Sequence, residues 1–116
     1  MASLLLPWLK AFLLTQLIEV PIWVRSQRGV ARPLQARLGV GFGASAITHP
    51  IVWFFFPWAL ASVDDRVMVA LAELFAWLVE WRWAAHFGVR RPLLWSAVAN
   101  GASFSAGCVL YALDLL

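Results

Sequence analysis

Four long apolar runs divide this chain of 116 residues, and short polar segments separate them. Each run is close to the ~20 residues that one helix needs to cross the hydrocarbon core of a bilayer. Charged residues make up 13% of the chain and apolar residues 63%, whereas a soluble domain carries roughly 25% charged residues. The chain has too few polar groups to cover a water-exposed surface, so we expect lipid around most of it.

The four runs predict an all-α fold, a four-helix transmembrane bundle with an up-down-up-down course, forming a single membrane domain over residues 1–116. The expected spans lie at about residues 4–24, 38–60, 67–87 and 93–113. The net charge of +3 does not indicate nucleic-acid binding. The arginines fall in short segments between apolar runs and form no basic stripe in a soluble segment.

The distribution of charge between the runs predicts an orientation. The segments Arg25–Arg37 and Gly88–Pro92 are rich in arginine, whereas the segment Ala61–Arg66 carries two aspartates. Basic loops remain on the cytoplasmic side of a membrane. We therefore expect a multi-pass protein of a bacterial inner (plasma) membrane, with the two basic segments in the cytoplasm and both termini on the outer side.

Ionisable and amide side chains within the spans are the candidates for a functional site. An ionisable group at the bilayer centre costs roughly 2.5–3.5 kcal/mol on insertion scales, so it faces protein or water. Glu19, His49, Glu80 and Asn100 lie in different spans. At a rise of ~1.5 Å per residue they fall at comparable depths. We therefore predict a polar cluster inside the bundle.

Further polar residues are expected around this cluster. Gln16, Thr48 and Ser103 lie within about one helical turn of its members, whereas Glu73 lies nearer the outer side. The fourth span also has a polar and small face with helical spacing. The residues on that face are Ser96, Asn100, Ser103 and Gly107.

Three interpretations of the cluster remain open. The groups could act as structural contacts between helices, each worth about 0.6 kcal/mol on average. They could bind or conduct a cation, a proton or a small solute, and Glu19, His49 and Glu80 are suitable ligands for a divalent metal. An intramembrane enzyme is the third, but the chain has no H-E-x-x-H and no G-x-S-x-G motif, and we assign no catalytic residue.

The polar motifs follow one another in a set order along the chain. They are Glu19-Val-Pro21, Thr48-His49-Pro50, the helix carrying Glu73 and Glu80, and Ala99-Asn100-Gly-Ala-Ser103. This order resembles that of a loose group of short bacterial four-helix integral membrane proteins of unknown function. The resemblance implies that these residues belong to one site, and it implies no particular activity. Ala44 or Ser45 stands where that group often has an asparagine.

The expected partners follow from size and composition. The lipid bilayer is the first of them. The alternative to a binding site is an accessory or assembly subunit of a larger membrane complex, because loops this short leave little surface outside the lipid. A homo-oligomer is a further possibility, since Gly39, Gly41 and Gly43 form a small-residue stripe that allows close approach of helices.

Overall fold

The computed structural model describes residues 2–115, and this part of the chain is all-helical. Its elements are α1 (Ala2–Ser26), α2 (Leu34–Pro50), a π-helical segment (Ile51–Phe55), α3 (Phe56–Ala59), α4 (Asp65–His86) and α5 (Pro92–Ala112).

The predicted all-α class is confirmed, and helices cover the predicted spans except for the last residue of three of them, Leu60, Phe87 and Leu113. Within residues 2–115, three stretches are long and apolar enough to cross a membrane: Ser3–Ser26, Leu34–Ala59 and Pro92–Ala112. The remaining long helix, α4, has a similar length but carries five charged residues, Glu73 and Glu80 among them. Its composition alone therefore does not mark it as a span.

The second predicted span is not one regular α-helix. Pro50 has no backbone N–H and its ring crowds the preceding turn, which disrupts the usual hydrogen-bond pattern. The π-helical segment lies between Pro50 and a second proline, Pro57, and in it the Phe56 N–H donates to the Ile51 carbonyl five residues earlier. A π-turn contains one residue more than an α-helical turn, so it changes the direction of the side chains that follow it.

Each of the long helices contacts two others. α1 packs against α2 and α5, and α4 packs against the same two helices. Two glycines of α2 allow this closeness: a Cβ added to Gly41 would lie 3.0 Å from the Trp23 Cβ, and one added to Gly43 would lie 2.5 Å from the Trp83 Cζ2. Part of the small-residue stripe is therefore used within the chain.

A tightly packed layer closes one end of the helix assembly. Trp23 is fully buried there and packs with Ala44, Ala84, Val89 and Ala99. Trp23 is consequently a core residue and not an anchor at the membrane surface, which is the usual place for tryptophan in membrane proteins.

The arginine-rich segment folds against this same closed end. Arg32 donates from Nη1 to Gln27 Oε1 and from Nη2 to the Phe87 carbonyl, both at 2.6 Å. Arg37 Nε donates to the Arg32 carbonyl at 2.9 Å, and the buried Gln27 Nε2 donates to the Arg37 carbonyl at 3.0 Å. These contacts attach the turn between α1 and α2 to the C-terminal end of α4.

Candidate functional site

A cavity of about 730 Å³ runs along the interior of the helix assembly. At one end its lining includes the exposed residues Pro7 and Tyr111, and at the other the buried residues Glu19, Glu80 and Asn100. From Pro7 to Glu19 is twelve residues of α1, or ~18 Å of helix. The cavity is therefore open at one end and ends blind at a polar floor.

Glu19 forms one half of this floor. Its side chain is 1% exposed and accepts a hydrogen bond from Ser45 Oγ to Oε1 at 2.9 Å. Its other oxygen accepts a short hydrogen bond from Ser103 Oγ. The donors belong to α2 and α5, so the carboxyl group of α1 is held by two neighbouring helices.

Glu80 forms the other half and is held in the same manner. It is 1% exposed, its Oε2 accepts from Thr48 Oγ1 at 2.8 Å and its Oε1 accepts from Asn100 Nδ2 at 3.2 Å. Asn100 is fixed in turn, since its Nδ2 also donates to the Ser96 carbonyl at 3.0 Å. α2 and α5 thus supply donors to both carboxyl groups.

The carboxyl groups of Glu19 and Glu80 lie side by side at the floor, because their donors are neighbours one helical turn apart, Ser45 and Thr48 on α2 and Asn100 and Ser103 on α5. Two ionised carboxylates this close repel strongly, so their contact is attractive only when one of them carries a proton or a cation lies between them. We call these two residues the carboxyl pair. Each oxygen of the pair accepts one hydrogen bond from the surrounding side chains, and a carboxylate oxygen has capacity for a second.

His49 lines the same cavity but is not a member of the carboxyl pair's network. Successive residues of an α-helix point ~100° apart. Because Thr48 points toward α4, His49 turns toward α1, where its Nε2 lies 3.3 Å from Thr15 Oγ1. Its ring lies among the rings of Phe12 and Trp53, with centroid distances of 5.5 and 6.1 Å.

The predicted metal ligands Glu19, His49 and Glu80 are therefore not brought together. Within residues 2–115, no group of three His, Cys, Asp or Glu side chains has the arrangement that a metal ion needs. The geometric reason is the direction of His49, which shares the cavity wall with the two carboxyl groups but belongs to a different face of α2. The structure does not assemble this ligand set, and divalent-metal binding itself stays a prediction.

Two other predicted residues occupy different places. Gln16 is buried, but its Nε2 donates to the Phe42 carbonyl at 3.2 Å and its side chain belongs to the contact between α1 and α2. Glu73 does line the cavity and is half-buried. It lies seven residues before Glu80 on α4, or ~10 Å nearer the open end, as its position in the sequence predicts.

Sequence reasoning missed Ser45 as a donor to the carboxyl pair. The residue precedes Thr48 by three positions, so the two hydroxyl groups share a face of α2. That spacing was the available signal. Lys10 was also missed as a member of the cavity wall, because its exposed position near the open end suits an ordinary surface lysine equally well.

Protein-family models, curated proteins and solved structures give no match to this chain. The chemistry of the site therefore follows from its geometry.

The charges of the cavity wall favour a cation. Three carboxyl side chains line it, those of Glu19, Glu73 and Glu80, against one ammonium, that of Lys10. The rest of the wall is mostly apolar, with residues such as Leu14, Val52, Met68 and Phe104. An apolar wall lowers the local dielectric and strengthens any charge interaction at the floor. Volumes of ~300–1,000 Å³ are typical of pockets for small organic molecules.

Proposed function

We propose that the protein is a multi-pass protein of the bacterial inner membrane, in which α4 also crosses the bilayer to complete a four-helix bundle. The position of Glu80 supports this: it is 1% exposed and lines the interior cavity, so α4 does not present it to acyl chains. With the arginine-rich segments in the cytoplasm, both termini and the open end of the cavity face outward.

The proposed function is binding of a small organic solute that carries a cationic group. The carboxyl pair carries this proposal: two buried carboxyl groups meet at the blind end of a cavity wide enough for an organic molecule. With both carboxyl groups ionised, an ammonium group between them would donate to the free acceptor positions of both carboxylates and offset their repulsion. The apolar wall would hold the rest of the solute.

A structural role in an accessory subunit is the second candidate. It is favoured by the completeness of the network, in which every oxygen of the carboxyl pair already accepts a hydrogen bond from a neighbouring helix. However, contacts that only hold helices together are expected in a close-packed interior. A cavity of about 730 Å³ beside the pair is better explained by a ligand.

The first prediction concerns the carboxyl pair. Purified protein in phosphatidylcholine nanodiscs should bind dansylcadaverine, an apolar fluorophore with a primary ammonium, more tightly than its alcohol analogue. The substitutions Glu19→Gln and Glu80→Gln keep the side-chain shape and remove the charge. Because hydrogen bonds to charged groups are worth ~1.5–3 kcal/mol, each variant should weaken the amine about 10- to 100-fold and the alcohol little. Fluorescence titration measures both affinities.

Asp65→Asn is the matched control, because Asp65 is an exposed carboxyl at the start of α4. It should leave both affinities unchanged. If the wild-type protein does not distinguish the amine from the alcohol, while the two glutamine variants only lose thermal stability, the structural role is correct and the binding function is not.

A further inference from the structure

A second, shallower depression lies beside the cavity, on the surface formed by α4 and α5. It has a volume of about 440 Å³, and the small residues Ala70, Ala97 and Gly101 form part of its wall. We call it the α4–α5 groove. Ala97 and Gly101 are one helical turn apart, so together they form a continuous shallow strip on the surface of α5.

The groove and the cavity share part of their walls. Glu73, Asn100 and Phe104 line both of them. These side chains therefore lie between the groove on the surface of the molecule and the cavity in its interior. Phe104 is 42% exposed, so it stands at the rim and is not packed into the core.

The groove is open space next to the backbone. A Cβ added to Gly101 meets no heavy atom of the described residues within 4 Å. At the end nearer the closed layer, the Trp77 indole N–H donates to the Leu93 carbonyl at 3.0 Å and joins α4 to α5. The two helices are thus joined by a hydrogen bond at one end of the groove, and small residues line the groove along the rest of its length.

The carboxyl group of Glu73 indicates which class of molecule the groove would attract. Glu73 is half-buried between groove and cavity. The donors that hold Glu19 and Glu80, which are Ser45, Ser103, Thr48 and Asn100, do not donate to Glu73. In the proposed orientation, exposed apolar residues such as Leu74 and Val98 on these helices place the groove against lipid. A carboxyl group there attracts an ammonium that travels with an apolar chain.

From these observations we propose that the cavity takes single-chain amphiphilic amines, which enter it sideways from the bilayer through the α4–α5 groove. This rests on the binding function proposed above and specifies its substrate class and route. The ammonium would pass from Glu73 to the carboxyl pair, a helical distance of ~10 Å, while the chain follows along Ala97, Gly101 and Phe104 into the cavity. No covalent step is involved.

The test compares entry rates in phosphatidylcholine nanodiscs, with a dansyl-labelled undecylamine as the probe and stopped-flow fluorescence as the measurement. Gly101→Leu fills the groove without touching the carboxyl pair. Among variants of one site, association rates span about one to three decades. We expect Gly101→Leu to slow association by about tenfold or more, with the affinity at equilibrium nearly unchanged, because a blocked route slows entry and exit alike.

Gly39→Leu is the matched control. Gly39 is also an exposed helical glycine with no described heavy atom within 4 Å of an added Cβ, but it lines neither the cavity nor the groove. It should leave the association rate unchanged. Ala97→Leu is a second groove variant, for use if Gly101→Leu lowers the thermal stability of the protein.

Two further measurements decide the route and the substrate class. Wild-type association should follow the mole fraction of probe in the bilayer and not its aqueous concentration. Glu73→Gln should slow the association of the dansyl-labelled amine and leave the association rate of its alcohol analogue unchanged.

The failures of the two proposals are distinguishable. If undecylamine binds at the carboxyl pair but enters at wild-type rates in both groove variants, the sideways route is refuted and the binding function stands. If phosphatidylethanolamine in the nanodisc displaces the probe, the occupant is a two-chain lipid and the single-chain class is wrong. If no amine binds, the proposed function fails as well.

Discussion

Gly43 shows how closely a single position controls the helix packing. Trp83 lies against it, and its indole N–H donates to the Val40 carbonyl at 2.8 Å. An added Cβ would lie 2.5 Å from the Trp83 Cζ2, which is well inside van der Waals contact. The ring fixes the contact between α2 and α4 only because no side chain is present at this glycine.

We expect Gly43→Ala to destabilise the protein by about 1–3 kcal/mol, the usual range for an overpacked core position. The ring must move, and its hydrogen bond to Val40 should be lost. Thermal unfolding in detergent gives the stability, and tryptophan fluorescence reports the displaced ring. Gly39→Ala is the control, since its Cβ meets open space; equal destabilisation by both substitutions would contradict the role of Trp83.

For other residues, the direction of the side chain about the helix axis decides its contacts more than its depth in the membrane does. Thr48 and His49 are consecutive, yet the first holds Glu80 and the second contacts Thr15. The sequence predicted that both would lie near the carboxyl groups, because depth follows from residue number. The rotation of one helix about its axis depends on packing with its neighbours, and for that reason the sequence did not show that His49 turns toward Thr15.

Pro50 and the π-helical segment after it shape one wall of the cavity. The extra residue in the π-turn rotates all later side chains of this stretch by ~100° relative to a continuous α-helix. Val52, Trp53 and Pro57 line the cavity in that register. The segment between Pro50 and Pro57 therefore acts on the site through the hydrogen-bond pattern of the backbone.

Replacing Pro50 by alanine should restore the α-helical pattern. We expect a gain in stability of up to ~3 kcal/mol, the penalty of a proline inside a helix, together with weaker binding of dansylcadaverine because the wall residues leave the cavity. Amide hydrogen exchange over residues 51–55 measures the change in backbone, and titration measures the affinity.

Pro21→Ala provides the comparison, because α1 stays α-helical through Pro21 and its wall residues should not rotate. Tighter or unchanged binding by Pro50→Ala would show that the π-turn does not shape the site.

The helices themselves were largely predictable from the sequence. Runs of apolar residues near the length of a bilayer span, separated by arginine-rich or acidic segments, placed the helices to within a few residues. The cavity was not predictable, because its volume depends on how four helices lean on one another. The role of Ser45 and the turn of the chain around Arg32 and Arg37 also depend on contacts between residues distant in sequence.

The orientation of the whole molecule can be tested with one reactive group at a time. In a Cys108→Ser background, Ser62→Cys should react with a membrane-impermeant maleimide added to intact cells. Gln35→Cys should react only after the membrane is opened. Both positions are exposed, so a difference in labelling reflects the side of the membrane; the reverse pattern would place the open end of the cavity in the cytoplasm.

The closed layer around Trp23 has an electrical consequence in the proposed orientation. Water is far more polarisable than packed side chains. A water-filled cavity would therefore hold Glu19 close to the electrical potential of the outer side of the membrane. The membrane voltage would then fall mainly across the stretch of α1 from Glu19 to Ser26, a rise of seven residues or ~10 Å. A cation arriving from outside would sense little of that voltage. A cation pushed through the tryptophan layer would cross most of it, at ~2.3 kcal/mol per 100 mV.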